Sequence, residues 1–133
     1  MKREFLLIDD DADEVILLRE ALYHSVIGCC CEWVQSVEIA LAMLERHIPD
    51  LILIDYNMPR INGITGVKMI RSMPRLKKVP IIFYSTSIDE KTKKLALDAG
   101  ADLVIQKQFN TQGLVKLLSE FLNTRFLLNE KQN

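Results

Sequence analysis

Five short runs of this chain are apolar at positions facing both ways, and helix-spaced segments separate them. The runs are Phe5–Ile8, Cys29–Val34, Leu51–Ile54, Ile81–Tyr84 and Leu103–Ile105. A strand with one wet face alternates apolar and polar residues, whereas a strand covered on both sides does not. Strands of the second kind, alternating with helices, predict a parallel sheet sandwiched between two helical layers. The expected fold is therefore α/β, a doubly wound five-stranded parallel sheet with helices on both faces.

The intervening segments carry the helical period. Val15, Leu18 and Leu22 recur at helical spacing between Asp13 and His24, with Ile16, Leu17 and Ala21 widening the stripe. Ser36 is a natural N-cap for a helix to about Arg46 that sets Val37, Ala40, Leu41 and Leu44 on one face. Asn62-Gly63 marks a turn, and a helix carrying Val67, Ile70 and Met73 ends before Pro74. A fourth helix runs from near Ile88 to Ala99 and is stopped by Gly100. Asn110 or Thr111 caps the last, which runs to about Asn123. Residues 1–124 thus form one domain. Residues 125–133 form a C-terminal tail that either extends the last helix or docks on a partner, because Phe126, Leu127 and Leu128 are apolar. A homodimer through this tail is one expectation, and packing back on the same subunit is the other.

Size and composition remove whole classes. A chain of 133 residues buries roughly two-thirds of its unfolded surface, enough for one core. Apolar residues at 49% and charged residues at 26% match ordinary globular proteins rather than disordered or fibrous ones. No apolar run approaches the length of a membrane helix. The N-terminus lacks a signal-peptide shape, so the cytoplasm is the expected location. Cys29, Cys30 and Cys31 are adjacent, which suits neither a disulfide framework nor zinc-ligand spacing. They read as part of a buried strand. Residues 1–59 hold four Lys/Arg against twelve Asp/Glu, and residues 60–133 hold thirteen against six. The bland account, acid gathered at a site and base solvating later helices, is preferred to a nucleic-acid face through Lys77, Lys78, Lys91, Lys93 and Lys94. No nucleic-acid-binding signature accompanies those lysines.

Ligands of open α/β sheets bind outside the carboxyl ends of the strands. Asp9, Asp10 and Asp11 follow the first strand; Asp55 ends the third, with Tyr56, Asn57, Met58 and Pro59 after it; Ser85, Thr86 and Ser87 follow the fourth; Lys107 follows the fifth. Any one of these alone is an ordinary turn or cap residue. Together they bring carboxylates, a hydroxyl and an amine to one edge. Converging carboxylates raise one another's pKa unless a cation joins them, and a hard divalent ion such as Mg²⁺ takes oxygen ligands of this kind. Asp10 and Asp55 are the direct ligands in this reading, with the backbone carbonyl of Asn57, and Asp9 acts through water. Phosphoryl transfer needs positioning and positive charge more than covalent help. Mg²⁺ and Lys107 supply the charge, Ser85 donates a hydrogen bond, and the Asp55 carboxylate is the nucleophile.

The runs Leu6-Leu7-Ile8-Asp9-Asp10, Asp55-Tyr56-Asn57-Met58-Pro59 with Gly63, Pro80-Ile81-Ile82-Phe83-Tyr84-Ser85, and Ala99-Gly100-Ala101 ahead of Lys107 together resemble the receiver domain of two-component response regulators. This CheY-like family has a flavodoxin-like fold, and the likeness spans about residues 4–124. The resemblance implies Mg²⁺ at Asp9 and Asp10, and a phosphoryl group accepted on Asp55 from a histidine kinase or phosphotransfer protein. It implies phosphoryl contacts from Ser85 and Lys107, and tuning of dephosphorylation by Asn57 and Ser87. It implies catalysis of the chain's own phosphorylation and dephosphorylation but no other enzyme activity.

Two positions depart from the family pattern. Gln108 replaces the usual proline after the lysine, and Val104 replaces the aromatic residue whose rotamer usually transmits the signal. A trans Lys107–Gln108 bond is expected, since cis costs about 2.5–4 kcal/mol without proline. With no output domain after residue 124, the resemblance is to a stand-alone receiver acting on an unknown protein target, with no nucleic acid or membrane involved. Two competitors share features of the site. An Asp-nucleophile phosphohydrolase would want a second acid two residues past Asp55, where Asn57 stands. A flavodoxin-like redox carrier would want a phosphate-binding loop where three aspartates stand.

Overall fold

The computed structural model describes residues 3–23, 29–86, 88–107 and 111–132, and within the last stretch the side chains of 112–121 and 123. Five strands, β1 (Arg3–Ile8), β2 (Cys29–Val34), β3 (Leu51–Asp55), β4 (Ile81–Ser85) and β5 (Leu103–Gln106), alternate with α1 (Ala12–Tyr23), α2 (Val37–Leu44), α3 (Gly63–Arg71), α4 (Glu90–Ala99) and α5 (Thr111–Gln132). All strand pairs are parallel and the order is β2-β1-β3-β4-β5. The expected doubly wound sheet is what forms.

The period of two within each central strand divides the core. Leu6, Ile8, Ile52, Ile54, Ile81 and Phe83 face α2, α3 and α4. Phe5, Leu7, Leu51, Leu53, Ile82 and Tyr84 face the other way, with Val15, Leu18 and Leu22 of α1 and Leu114 and Leu118 of α5. β3 and β4 are buried at every residue. Each such Leu, Ile or Phe contributes roughly 1.5–3 kcal/mol of burial.

Capping matches the local sequence. The side chains of Ser36, Asn62 and Asp89 accept from the backbone N–H of Ile39, Thr65 and Thr92, at the starts of α2, α3 and α4. Gly100 ends α4 at φ 122°, a left-handed conformation natural to glycine. Arg71 at the end of α3 ties several elements together. Its guanidinium donates to the carbonyls of Leu76, Val79 and Gly100 and to Asp102.

Several expectations need correction. The cysteine strand is not buried throughout. β2 lies at the sheet edge, and its burial falls from Cys29 (6% exposed) to an exposed Cys30 and a half-buried Cys31. Ile16 and Leu17 do not widen the buried stripe of α1; they are 57% and 58% exposed. These positions carry apolar residues at near-helical spacing, but the sheet covers only a narrow stripe of each helix. Helix α3 stops at Arg71, so Met73 lies beyond it. The side chains of Phe126, Leu127 and Leu128, together with Ser87, Gln108, Phe109, Asn110 and the Lys107–Gln108 bond, lie outside the described residues.

Candidate functional site

The strand order reverses between β1 and β3, which makes that gap the switch point where ligands bind in such sheets. Asp9 and Asp10 leave β1 there, and Asp55 is the last residue of β3. The Lys107 N–H donates to the Ser85 carbonyl at 2.7 Å, so β4 and β5 bring the hydroxyl and the amine to the same edge. On the far side of Asp55, the Gly63 N–H donates to the Tyr56 carbonyl at 2.9 Å. A Cβ at Gly63 would sit 2.1 Å from the Asp55 carbonyl oxygen. Only glycine lets α3 begin this close to the aspartate.

Asp9 is fully buried and heavily committed. Its Oδ1 accepts from the Asp11 N–H at 2.9 Å, its Oδ2 accepts from the Tyr84 hydroxyl at 2.5 Å, and its backbone carbonyl accepts from the Trp33 indole at 2.7 Å. Asp11 in turn accepts from the N–H groups of Asp13 and Glu14 and so opens α1. Carboxylate oxygens of Asp9, Asp10 and Asp55 lie within 4.8 Å of one another. The Lys107 ammonium stands 3.4 Å from Asp9 Oδ2 and 3.4 Å from Asp55 Oδ1 and contacts the Glu14 carboxylate. It also lies 4.7 Å from the Tyr84 ring centroid.

Burial pushes the Asp55 carboxyl up to about 6, with the Asp9 charge adding to the rise and Lys107 opposing it. Burial, then the charge of Asp9 and the hydrogen bond to it, holds the Tyr84 phenol well above its usual range. For Lys107, burial pulls downward, but the Glu14 hydrogen bond and the charges of Asp55, Asp9 and Glu14 prevail and keep the ammonium above its ordinary value.

Two observations fit this edge to a cation and a phosphoryl group. Three hard oxygen donors converge, with one ammonium beside them among the described residues, an arrangement that suits a divalent cation. The Ser85 hydroxyl is fully buried and has no hydrogen-bond partner among the described residues, although such groups ordinarily find one. Asn57 is exposed in the loop after β3. Glu14, Tyr84 and Trp33 were not singled out in the sequence. Glu14 sits in the first turn of α1 and Tyr84 inside an apolar run, and neither position signals a role by itself.

The sequence model of the response regulator receiver domain matches residues 5–119. The gliding motility regulatory protein of Myxococcus xanthus is 35% identical over 106 residues, which cover 77% of this chain and 13% of that protein. The crystal structure of the phosphorylated cyanobacterial phytochrome response regulator RcpA superposes with a TM-score of 0.81 at 28% identity, over 91% of each chain. The Mn²⁺-bound form of the response regulator Rcp1 superposes with a TM-score of 0.75 at 25% identity, over 86% of this chain and 88% of Rcp1. Among the described residues, no helix is long and apolar enough to cross a membrane. The acidic edge of Asp9, Asp10 and Asp55 lies where the fold's own switch point predicts a ligand, and the chain carrying it belongs to the family of response regulator receiver domains.

Proposed function

We propose that this receiver domain works in the cytoplasm as a phosphorylation-switched module, with Asp55 as its phosphoacceptor and a sensor histidine kinase or phosphotransfer protein as its donor. The observation that carries the reading is the meeting at one sheet edge of Asp55, Lys107 and a buried Ser85 hydroxyl that has no hydrogen-bond partner among the described residues. An Asp55 carboxylate oxygen attacks the phosphorus of a phosphohistidine. The P–N bond breaks, its electron pair stays on the imidazole nitrogen, and an acyl phosphate forms on Asp55. Asp9, Asp10, Asp55 and the Asn57 carbonyl would hold Mg²⁺, which screens the charge of the transferring group when bound. Lys107 neutralises a phosphoryl oxygen, and the Ser85 hydroxyl donates a hydrogen bond to another. The phosphorylated state of RcpA and the Mn²⁺ of Rcp1 support this assignment.

Readout takes a route other than an aromatic rotamer. Val104 lies opposite Phe83 in the β4–β5 register, packed against the core, and it is stiff at χ1 with no ring to swing. Movement around Ser85 and Lys107 carries the signal to a protein partner instead.

Incubation with acetyl phosphate and Mg²⁺ tests the assignment. The wild-type protein gains one phosphoryl mass and Asp55→Asn gains none. An equal gain in Asp55→Asn removes Asp55 as acceptor.

A further inference from the structure

Lys107 has one amine and three carboxylates around it, and its closest contact is the one that lies outside the acidic cluster. It contacts Glu14 directly, while Asp9 and Asp55 stand at 3.4 Å. Glu14 is not among the three carboxylates that converge on one point. It comes from the first turn of α1, and its side chain is 39% exposed against 13% for Lys107. The ammonium is therefore shared between the buried aspartates and a half-exposed carboxylate that lies outside their cluster.

We propose that Glu14 is a positioning residue that competes with the phosphoryl group for Lys107, and so sets how tightly the phosphorylated state is held. The proposal rests on Asp55 being the phosphoacceptor. A phosphoryl group on Asp55 brings new anionic oxygens to the site and needs an ammonium donor. Glu14 opposes it twice, by occupying the lysine and by adding a fourth negative charge beside Asp9, Asp10 and Asp55. Toward a cation alone the same negative charge acts in the opposite direction and attracts. Loss of the Glu14 charge should therefore raise the affinity for a phosphoryl analogue without raising that for Mg²⁺, whereas a general loosening of the fold would lower both.

Trp33 supplies the readout. It is the chain's single tryptophan, and its indole N–H donates to the Asp9 carbonyl at 2.7 Å, so its emission follows events at the site. Titrations of Mg²⁺ alone, and of beryllofluoride at saturating Mg²⁺, are followed by Trp33 fluorescence in wild type, Glu14→Gln and Glu14→Asp. Glu14→Gln should bind beryllofluoride about threefold to fivefold more tightly, the scale of one partly exposed ion pair, while Mg²⁺ affinity stays level or falls. Glu14→Asp, which keeps the carboxylate, should stay near wild type. Unchanged or weaker beryllofluoride binding in Glu14→Gln overturns the proposal. So do two affinities that shift together, or a Glu14→Asp variant that departs as far as Glu14→Gln. Intact mass after acetyl phosphate separates the two levels. If the wild type gains no phosphoryl mass on Asp55, the underlying assignment has failed rather than the role of Glu14.

Discussion

Removing the charge of Asp55 should stabilise the metal-free protein, and the gain should depend on pH in a predictable way. The carboxyl is 6% exposed and titrates at about 6 in the folded chain, against an ordinary 3.8. A gap of about two units corresponds to about 3 kcal/mol. The sign follows from proton binding. Between roughly pH 4 and 6 the folded state binds more protons than the unfolded one, so stability falls as pH rises through that window and stays low above it. Asp55→Asn keeps the shape and cannot ionise. At pH 7.5 in EDTA it should be more stable than wild type by about 2–3 kcal/mol, a rise in Tm on the order of 10 °C for a chain of this size. The difference should fade toward pH 4, where the folded carboxyl is protonated and the unfolded one is close to its ordinary midpoint of 3.8. Saturating Mg²⁺ should also shrink it, since binding to the folded wild type alone adds about 2.7 kcal/mol at one hundred times Kd. Paired thermal melts of the two proteins from pH 4 to 8, with EDTA and with Mg²⁺, measure all three effects. Equal Tm values at pH 7.5 in EDTA, or a difference that grows toward acid, would refute the reasoning, because Asp55 would then not be a carboxylate destabilised by burial.

Two further outcomes test the frame around the site. Arg71→Met should cost roughly 2–4 kcal/mol in urea unfolding, because it leaves Asp102 and the carbonyls of Leu76, Val79 and Gly100 without their shared donor; a loss under 0.5 kcal/mol would make the clamp incidental. Gly63→Ala should cost about 1–3 kcal/mol and slow phosphorylation by acetyl phosphate, since the new Cβ would press on the Asp55 carbonyl at 2.1 Å. Full stability with full labelling would show that α3 shifts without cost.

The strand ends carry most of the candidate site in plain view. Asp9, Asp10, Asp55, Ser85 and Lys107 each follow an apolar run, and a parallel sheet necessarily gathers such ends at one edge. The core was legible for the same reason, because strands covered on both faces and helices with an apolar stripe leave distinct periods in the sequence. What the period does not encode is the lateral order of strands. That β2 would sit at the edge and leave Cys30 exposed, while β3 and β4 are buried throughout, is settled by which strands pair. Nor does it encode how much of each helix the sheet will cover, which is why Ile16 and Leu17 look like core and are not. The partners of the site residues are hidden more deeply. Lys107 meets Glu14 across 93 positions, Tyr84 meets Asp9 across 75, and Trp33 meets Asp9 across 24. Such contacts depend on side-chain reach across neighbouring strands and the helix that follows them, a distance that exists only once the sheet has closed, so the sequence determined the acidic edge and the tertiary structure alone decided which groups surround it.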